Sequence, residues 1–179
     1  MSSIEFEARA LGIDVAATMA AIGRCGGVHV ADRLMRRYVY DIVPGVAGRW
    51  IRLRDTGTEV TLCVKHIVSD TIDGTREEEV TVDDFDTTNT LLGLMGFTPK
   101  AYQENRRSSY LLNGVQLEID RWPLIPPYLE IEGDSAEDVI STAKLLELDP
   151  GRLTAVNTIG IYAHYGIDLE SIQDLRFRE

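Results

Sequence analysis

Long apolar runs are missing from this chain of 179 residues. A membrane-spanning helix needs about 20 consecutive apolar residues, and no such stretch exists. The first residues carry no basic segment followed by an apolar one, so no secretory leader is expected. Cysteine is scarce: Cys25 and Cys63 are far apart and lack metal-ligand spacing, which fits the reduced thiols of a cytoplasmic protein. His29, His66 and His164 lie on different segments with no His-x3-His or His/Cys set, which removes a histidine-based zinc centre. Positive charge is in deficit. With 18 Lys+Arg against 29 Asp+Glu the net charge is −11, which argues against binding a nucleic-acid polymer through its phosphates. Ser108-Ser109 has neither a glycine elbow nor a partnered histidine, and Gly45-x-x-Gly48 lacks the lysine and Ser/Thr of a phosphate loop. Solenoid repeats, low-complexity tracts and linkers are also absent, so residues 1–179 read as one domain with room for a sizeable core.

What the chain does have is alternation. In Ile4-Glu5-Phe6-Glu7-Ala8-Arg9 apolar and charged residues exchange with a period of two, as in a strand with one apolar and one charged face. The same division recurs along the sequence. Arg52 and Arg54 alternate with Ile51 and Leu53, and Asp55-Thr56-Gly57 turns the chain back into Thr58–Ile67. There Thr61, Cys63 and Lys65 share one face, and Leu62 and Val64 the other. Thr75–Val82 sets Glu77 and Glu79 opposite Val80 and Val82, so parity selects these two acids over Glu78. Ala101–Leu112 and Val115–Arg121 are joined at Asn113-Gly114, a strong hairpin signal. The second arm alternates Val115, Leu117 and Ile119 with Gln116, Glu118 and Asp120, and Tyr128–Glu132 repeats the opening pattern.

Between the strands lie helical segments: Ala16–Ile22 after an Asp14 cap, Asp83–Gly96, Val139–Leu148 after a Ser135 capping box, and a C-terminal stretch near Leu153–Tyr165. A further strand is expected over Val28–Val43, ended by Pro44-Gly45. The helices need an apolar surface to cover. They find it on the outside of the sheet if the charged faces close inward as the lumen of a barrel. A lumen of that kind is costly unless its charges are paired, hydrated or matched by a ligand. Arginine forks suit phosphate oxygens, and clustered carboxylates suit hard divalent cations such as Mg²⁺ or Mn²⁺. Bases for phosphates beside acids for a bridging metal are the two halves of a polyphosphate site.

These residues resemble the Glu-x-Glu-x-Lys signature and the ordered charges of the CYTH superfamily, the triphosphate tunnel metalloenzymes. Glu5-Phe6-Glu7-Ala8-Arg9 stands for the signature, followed by Arg52-Leu53-Arg54, Lys65, Glu77-Glu78-Glu79, Arg107, Asp120 and Glu130-Ile131-Glu132. The resemblance implies an α+β fold: an eight-stranded antiparallel β-barrel, open as a tunnel, with helices packed outside. It implies that Arg9, Arg52, Arg54, Lys65 and Arg107 bind a triphosphate, with Arg9, Lys65 and Asp120 in catalytic roles. Glu5, Glu7, Glu130, Glu132 and Asp120 would hold Mg²⁺ or Mn²⁺, supported by Glu77, Glu79 and Glu118.

Two positions depart from the pattern. Arg9 replaces the signature lysine, keeping the charge but removing a group able to lose a proton near neutral pH. Asn105 stands where a Lys-x-Arg pair would carry its lysine. The function expected from the resemblance is metal-dependent hydrolysis of an inorganic or organic triphosphate. Class IV adenylyl cyclase chemistry on ATP, and non-catalytic polyphosphate or nucleotide binding, are the alternatives. The expected partner is a small triphosphate or nucleotide rather than a nucleic acid or a membrane, and a homodimer is compatible with it.

Overall fold

The computed structural model describes residues 3–69, 71–72 and 74–178, with side chains from residue 6 onward. Strands β1 (Ser3–Leu11), β2 (Val28–Asp41), β3 (Arg49–Asp55), β4 (Val60–Ile67), β5 (Thr75–Val82), β6 (Ala101–Leu112), β7 (Val115–Arg121) and β8 (Tyr128–Gly133) form one antiparallel sheet. Their order is β2-β3-β4-β5-β1-β8-β7-β6, and β2 pairs with β6 from Val28 opposite Leu111 to Val39 opposite Ala101. That last pairing closes the ring, and closure removes the exposed edges of an open sheet. A two-residue strand, β9 (Asp174–Leu175), adds parallel to β6. The hairpin between β6 and β7 turns on Asn113 and Gly114, both at positive φ (52° and 87°), as a two-residue turn of this hand requires.

The helices are α1 (Val15–Arg24), α2 (Phe85–Leu94), α3 (Ala136–Leu145) and α4 (Thr158–His164). Side-chain caps fix where three of them start: Asp14 accepts from the Ala17 amide at 2.9 Å, Asp84 from Thr87 at 2.7 Å, and Ser135 from Asp138 at 3.2 Å. The third helix begins three residues earlier than expected, because the capping-box residues themselves form its first turn, and Glu147 at φ 61° ends the segment. The last helix is much shorter than Leu153–Tyr165. Thr154 exchanges backbone hydrogen bonds with Arg9 (2.8 and 3.0 Å), which holds that part of the chain extended, and Asn157 then caps α4. Among the described residues no helix is long and apolar enough to cross a membrane.

The hydrophobic core lies outside the barrel wall. Ala8, Leu117, Ile119, Leu129 and Ile131 point outward and are buried beneath Ile22 of α1 and Val139 and Ala143 of α3. On the opposite side Tyr40, Ile51 and Leu53 pack with Phe85 and Leu92 of α2. Each large side chain buried this way contributes about 1.5–3 kcal/mol, so these outward faces fix the strand parity. A third cluster joins inward-parity Trp122 and Tyr128 to Ile161, Tyr162, Leu169 and Leu175, covering the end of the barrel where β7 gives way to β8. Every other residue is thereby committed to the interior. The interior is where the charges are.

Candidate functional site

A cavity of about 910 Å³ runs inside the barrel, and inward residues of all eight strands line it. Cross-strand register arranges their charges in rows. Glu7 faces Glu132, which faces Gln116; Arg9 faces Glu130, which faces Glu118. With Glu77 and Glu79 of β5 and Asp120 of β7, the acids occupy β5, β1, β8 and β7, four consecutive strands of the ring. The other four carry bases: Lys65 on β4, Arg52 and Arg54 on β3, Arg33 and Arg37 on β2, and Arg107 on β6. The wall is thus largely anionic on one half and largely cationic on the other, where Asp41 of β2 is an acid paired to Lys100 at 2.6 Å. Arg9 is a cation set within the anionic half.

Ion pairs mark the two seams. At the β4–β5 seam Lys65 Nζ lies 2.7 Å from Glu77 Oε2, and Arg52 Nη2 donates to Glu77 at 3.0 Å and to Glu79 at 3.2 Å. Arg54 reaches Glu79 at 3.5 Å. At the β6–β7 seam Arg107 forks onto Asp120 (2.9 and 2.6 Å) and also reaches Glu130 at 3.1 Å. Asp120 is fully buried, and Asn105 donates to its Oδ1 at 3.0 Å, so both carboxylate oxygens are engaged.

Arg9 is held on every nitrogen. Nε donates to Glu130 at 2.7 Å, Nη1 to the Val156 carbonyl at 2.9 Å, and Nη2 lies 2.8 Å from Glu7 Oε2. Burial opposes its charge, but Glu130 and Glu7 outweigh burial and raise its pKa further. This side chain is a fixed cation that orients two carboxylates and ties the segment before α4 to β1.

Away from the seams the charges are less well matched. Glu132 forms no ion pair among the described residues, and burial, with Glu130 and Glu7 adding to it, pushes its carboxyl up to about 7. Burial raises Glu118 as well, and its Oε2 has no hydrogen-bond partner. Glu130 is pushed the other way: burial would raise it, but Arg9 and Arg107 hold it low. Carboxylates directly opposite one another destabilise a sheet unless a cation lies between them. Glu7, in contact with Arg9, and Glu132, without an ion pair among the described residues, offer an all-oxygen donor set that fits a hard divalent cation. The side chain of Glu5 lies outside the described residues; its backbone pairs with Thr75. A second group, Cys63, Glu77 and Glu79, has donor atoms within 4.8 Å of one another. Its carboxylates are already paired to Arg52, Arg54 and Lys65, and burial pushes the thiol up to about 11, which makes it a poor ligand set.

The residues singled out in the sequence with described side chains therefore line one cavity, except Asp120, which is fully buried and bound to the lining Arg107. Among the lining cations not singled out are Arg33 and Arg37, inward residues of β2. Their signal was the parity Arg33, Met35, Arg37 against Leu34, Arg36, Tyr38. The adjacent Arg36-Arg37 puts one arginine on each face and hides it. The outward one, Arg36, pairs with Asp55 at 2.9 Å and lies over the Phe85 ring at 4.4 Å.

Fold and site together define an antiparallel barrel protein whose lumen is divided between acids and bases. The chain belongs to the CYTH domain family, whose model matches residues 44–153. Solved structures share the architecture. A conserved hypothetical protein from Pyrococcus furiosus aligns with TM-score 0.74 at 21% identity, covering 87% of this chain and 98% of its own. A candidate adenylate cyclase from Vibrio parahaemolyticus aligns with TM-score 0.76 at 14% identity, covering 91% and 99%. A candidate adenylyl cyclase from Hippeastrum, described as having a dominant triphosphatase activity, aligns with TM-score 0.60 at 17% identity, covering 96% and 100%. At these identities the likeness is one of fold. No curated protein matches the chain.

Proposed function

We propose that this protein hydrolyses a triphosphate with the help of a divalent cation. The observation that carries the reading is the division of the cavity wall into a mainly cationic half and a mainly anionic half. A triphosphate chain laid between them meets Arg52, Arg54, Lys65 and Arg107 on one side, where guanidinium forks match phosphate oxygens. On the other side Glu7 and Glu132 would hold Mg²⁺ or Mn²⁺, with Glu5 beside them in sequence and Glu130 and Glu118 behind. Held there, the cation would supply charge neutralisation on the phosphate oxygens and Lewis-acid activation of water. The protein's part is positioning. Asp120 fixes the plane of the Arg107 fork, Glu77 fixes Lys65 and Arg52, and Arg9 fixes Glu7 and Glu130. Preorganised charge of this kind is where most of the rate enhancement in phosphoryl transfer lies.

Arg9 stays charged, so it takes no part as a base; its role is to hold the acidic half together. The reading agrees with the dominant triphosphatase activity described for the Hippeastrum protein. The test is product identification on inorganic triphosphate, thiamine triphosphate and ATP with Mg²⁺, Mn²⁺ or EDTA. Metal-dependent orthophosphate release from one of them supports hydrolysis and names the substrate. Cyclic AMP and pyrophosphate from ATP would replace hydrolysis with cyclisation. Tight binding without any product would leave a binding protein.

A further inference from the structure

Arg37 is a buried cation of the cavity wall. It is 8% exposed, and its Nε has no hydrogen-bond partner. Among the described residues no carboxylate pairs with it. Its nearest polar contact is neutral: Nη2 donates to Asn105 Oδ1 at 2.5 Å. On its other side the guanidinium lies 4.6 Å from the centre of the Trp122 ring. The strands beside it add more positive charge. Arg37 stands directly opposite Arg54 across the β2–β3 ladder, and four residues back Arg33 stands opposite Arg107 across β2–β6.

Opposed like charges are unfavourable in a sheet, and a buried charge without a counter-ion is costly. Burial and the neighbouring Arg52, Arg54 and Arg107 push Arg37 down to about 9. Burial, with Arg52 and Arg107, pushes Arg54 down to about 10. The fold nonetheless holds Arg37 firmly. Trp122 supports one face of the guanidinium, and Asn105, itself fully buried and anchored on Asp120, fixes its edge. A cation held in place, lining a cavity and without a carboxylate partner among the described residues is the arrangement of a site waiting for an anion.

We infer that Arg37 is an anion-binding residue that, with Arg54 across the β2–β3 ladder, grips one phosphoryl group of the ligand, and that Asn105 and Trp122 are its positioning residues. The inference rests on the triphosphate reading and adds the middle of the cationic half, strand β2, to the binding surface. Cross-strand neighbours sit roughly 4.5–5.5 Å apart at Cα, so two guanidinium forks on such a pair reach the same phosphoryl group. A neutral Asn105 suits this role. It accepts from Arg37 and donates to Asp120, and so couples the new contact to the Arg107 anchor without neutralising either cation.

The experiment is calorimetric binding of inorganic triphosphate to wild type, Arg37→Gln, Arg37→Lys and Arg54→Ala, with thermal melts of each protein with and without triphosphate. Loss of one charge-assisted contact should weaken Arg37→Gln binding roughly tenfold to a hundredfold. Without ligand its melting temperature should be unchanged or raised, because the unmatched cation is gone. Arg37→Lys should recover part of the affinity. Arg37→Gln binding at wild-type strength while Arg54→Ala loses binding would overturn the inference and leave the triphosphate reading intact. A ligand-free melt that falls steeply, or a fold that collapses, would assign Arg37 to structure and also overturn it. No binding by wild type would overturn the triphosphate reading and this inference together.

Discussion

Arg9 and Glu130 face each other across the β1–β8 ladder, with Arg9 Nε 2.7 Å from Glu130 Oε2. The pair sits in the anionic half of the wall and reaches beyond it. The same guanidinium holds Glu7 and the Val156 carbonyl, so one side chain joins the first strand, the eighth strand and the segment before α4. A lysine has one nitrogen where this site uses three. The substitution at the signature position therefore exchanges a mobile ammonium for a fixed brace.

Removing that brace leaves Glu7 without its ion-pair partner and the buried Glu130 with Arg107 alone. Arg9→Ala should lower stability by about 3–5 kcal/mol, the cost of breaking a buried pair by deleting one partner. Arg9→Lys should lose less but should still free the 154–156 segment. Urea denaturation gives the first quantity, and hydrogen exchange at Thr154 gives the second. A wild-type midpoint for Arg9→Ala would contradict the bracing role.

Asp120 has the same standing at the β6–β7 seam. Asp120→Asn keeps the shape but weakens the fork on Arg107 and removes the charge that balances it. Cleavage of triphosphate should fall by about 10²-fold or more, the usual cost of disturbing one preorganised charge contact. The fold should survive, because Asn105 and Arg107 still have an oxygen to bond. Steady-state kinetics beside a circular-dichroism melt separates the two effects.

Glu132 sets a pH dependence. Its carboxyl in the fold is pushed up to about 7, above its ordinary value of 4.5, by burial first and then by Glu130 and Glu7. Between those limits the folded state holds more protons than the unfolded one, so this group's stabilising contribution is complete below about 4.5 and lost as pH rises through 7. In EDTA, Glu132→Gln should therefore be more stable than wild type at pH 8 and nearly equal to it at pH 4.5. Melting curves at the two pH values decide this. A variant that is less stable at pH 8 would contradict the assignment of Glu132 as an unmatched carboxylate.

The strands and their inward faces were legible because period-two alternation is a local property, and the apolar residues opposite the charges had helices to meet. Lys65, Glu77 and Glu118 were placed correctly on parity alone. The shape of the last segment was not legible. Residues 153–156 carry helix-compatible side chains, and only pairing with Arg9, far away in sequence, makes them extended. The role of Arg9 was hidden for the same reason, since a sequence records its charge but not three tertiary partners. Arg37 was hidden by its neighbour, because consecutive arginines give no sign of which one points inward.

The central claim is that both halves of the divided wall act on one ligand, and it is tested most directly by orthophosphate release from inorganic triphosphate across a Mn²⁺ or Mg²⁺ titration. Wild type would be compared with Arg54→Ala from the cationic half and Glu7→Gln from the anionic half. The expected result is metal-dependent release that Arg54→Ala loses chiefly through weaker triphosphate binding and Glu7→Gln loses chiefly through a higher metal requirement. Release that continues in EDTA, or that neither variant changes, would contradict it.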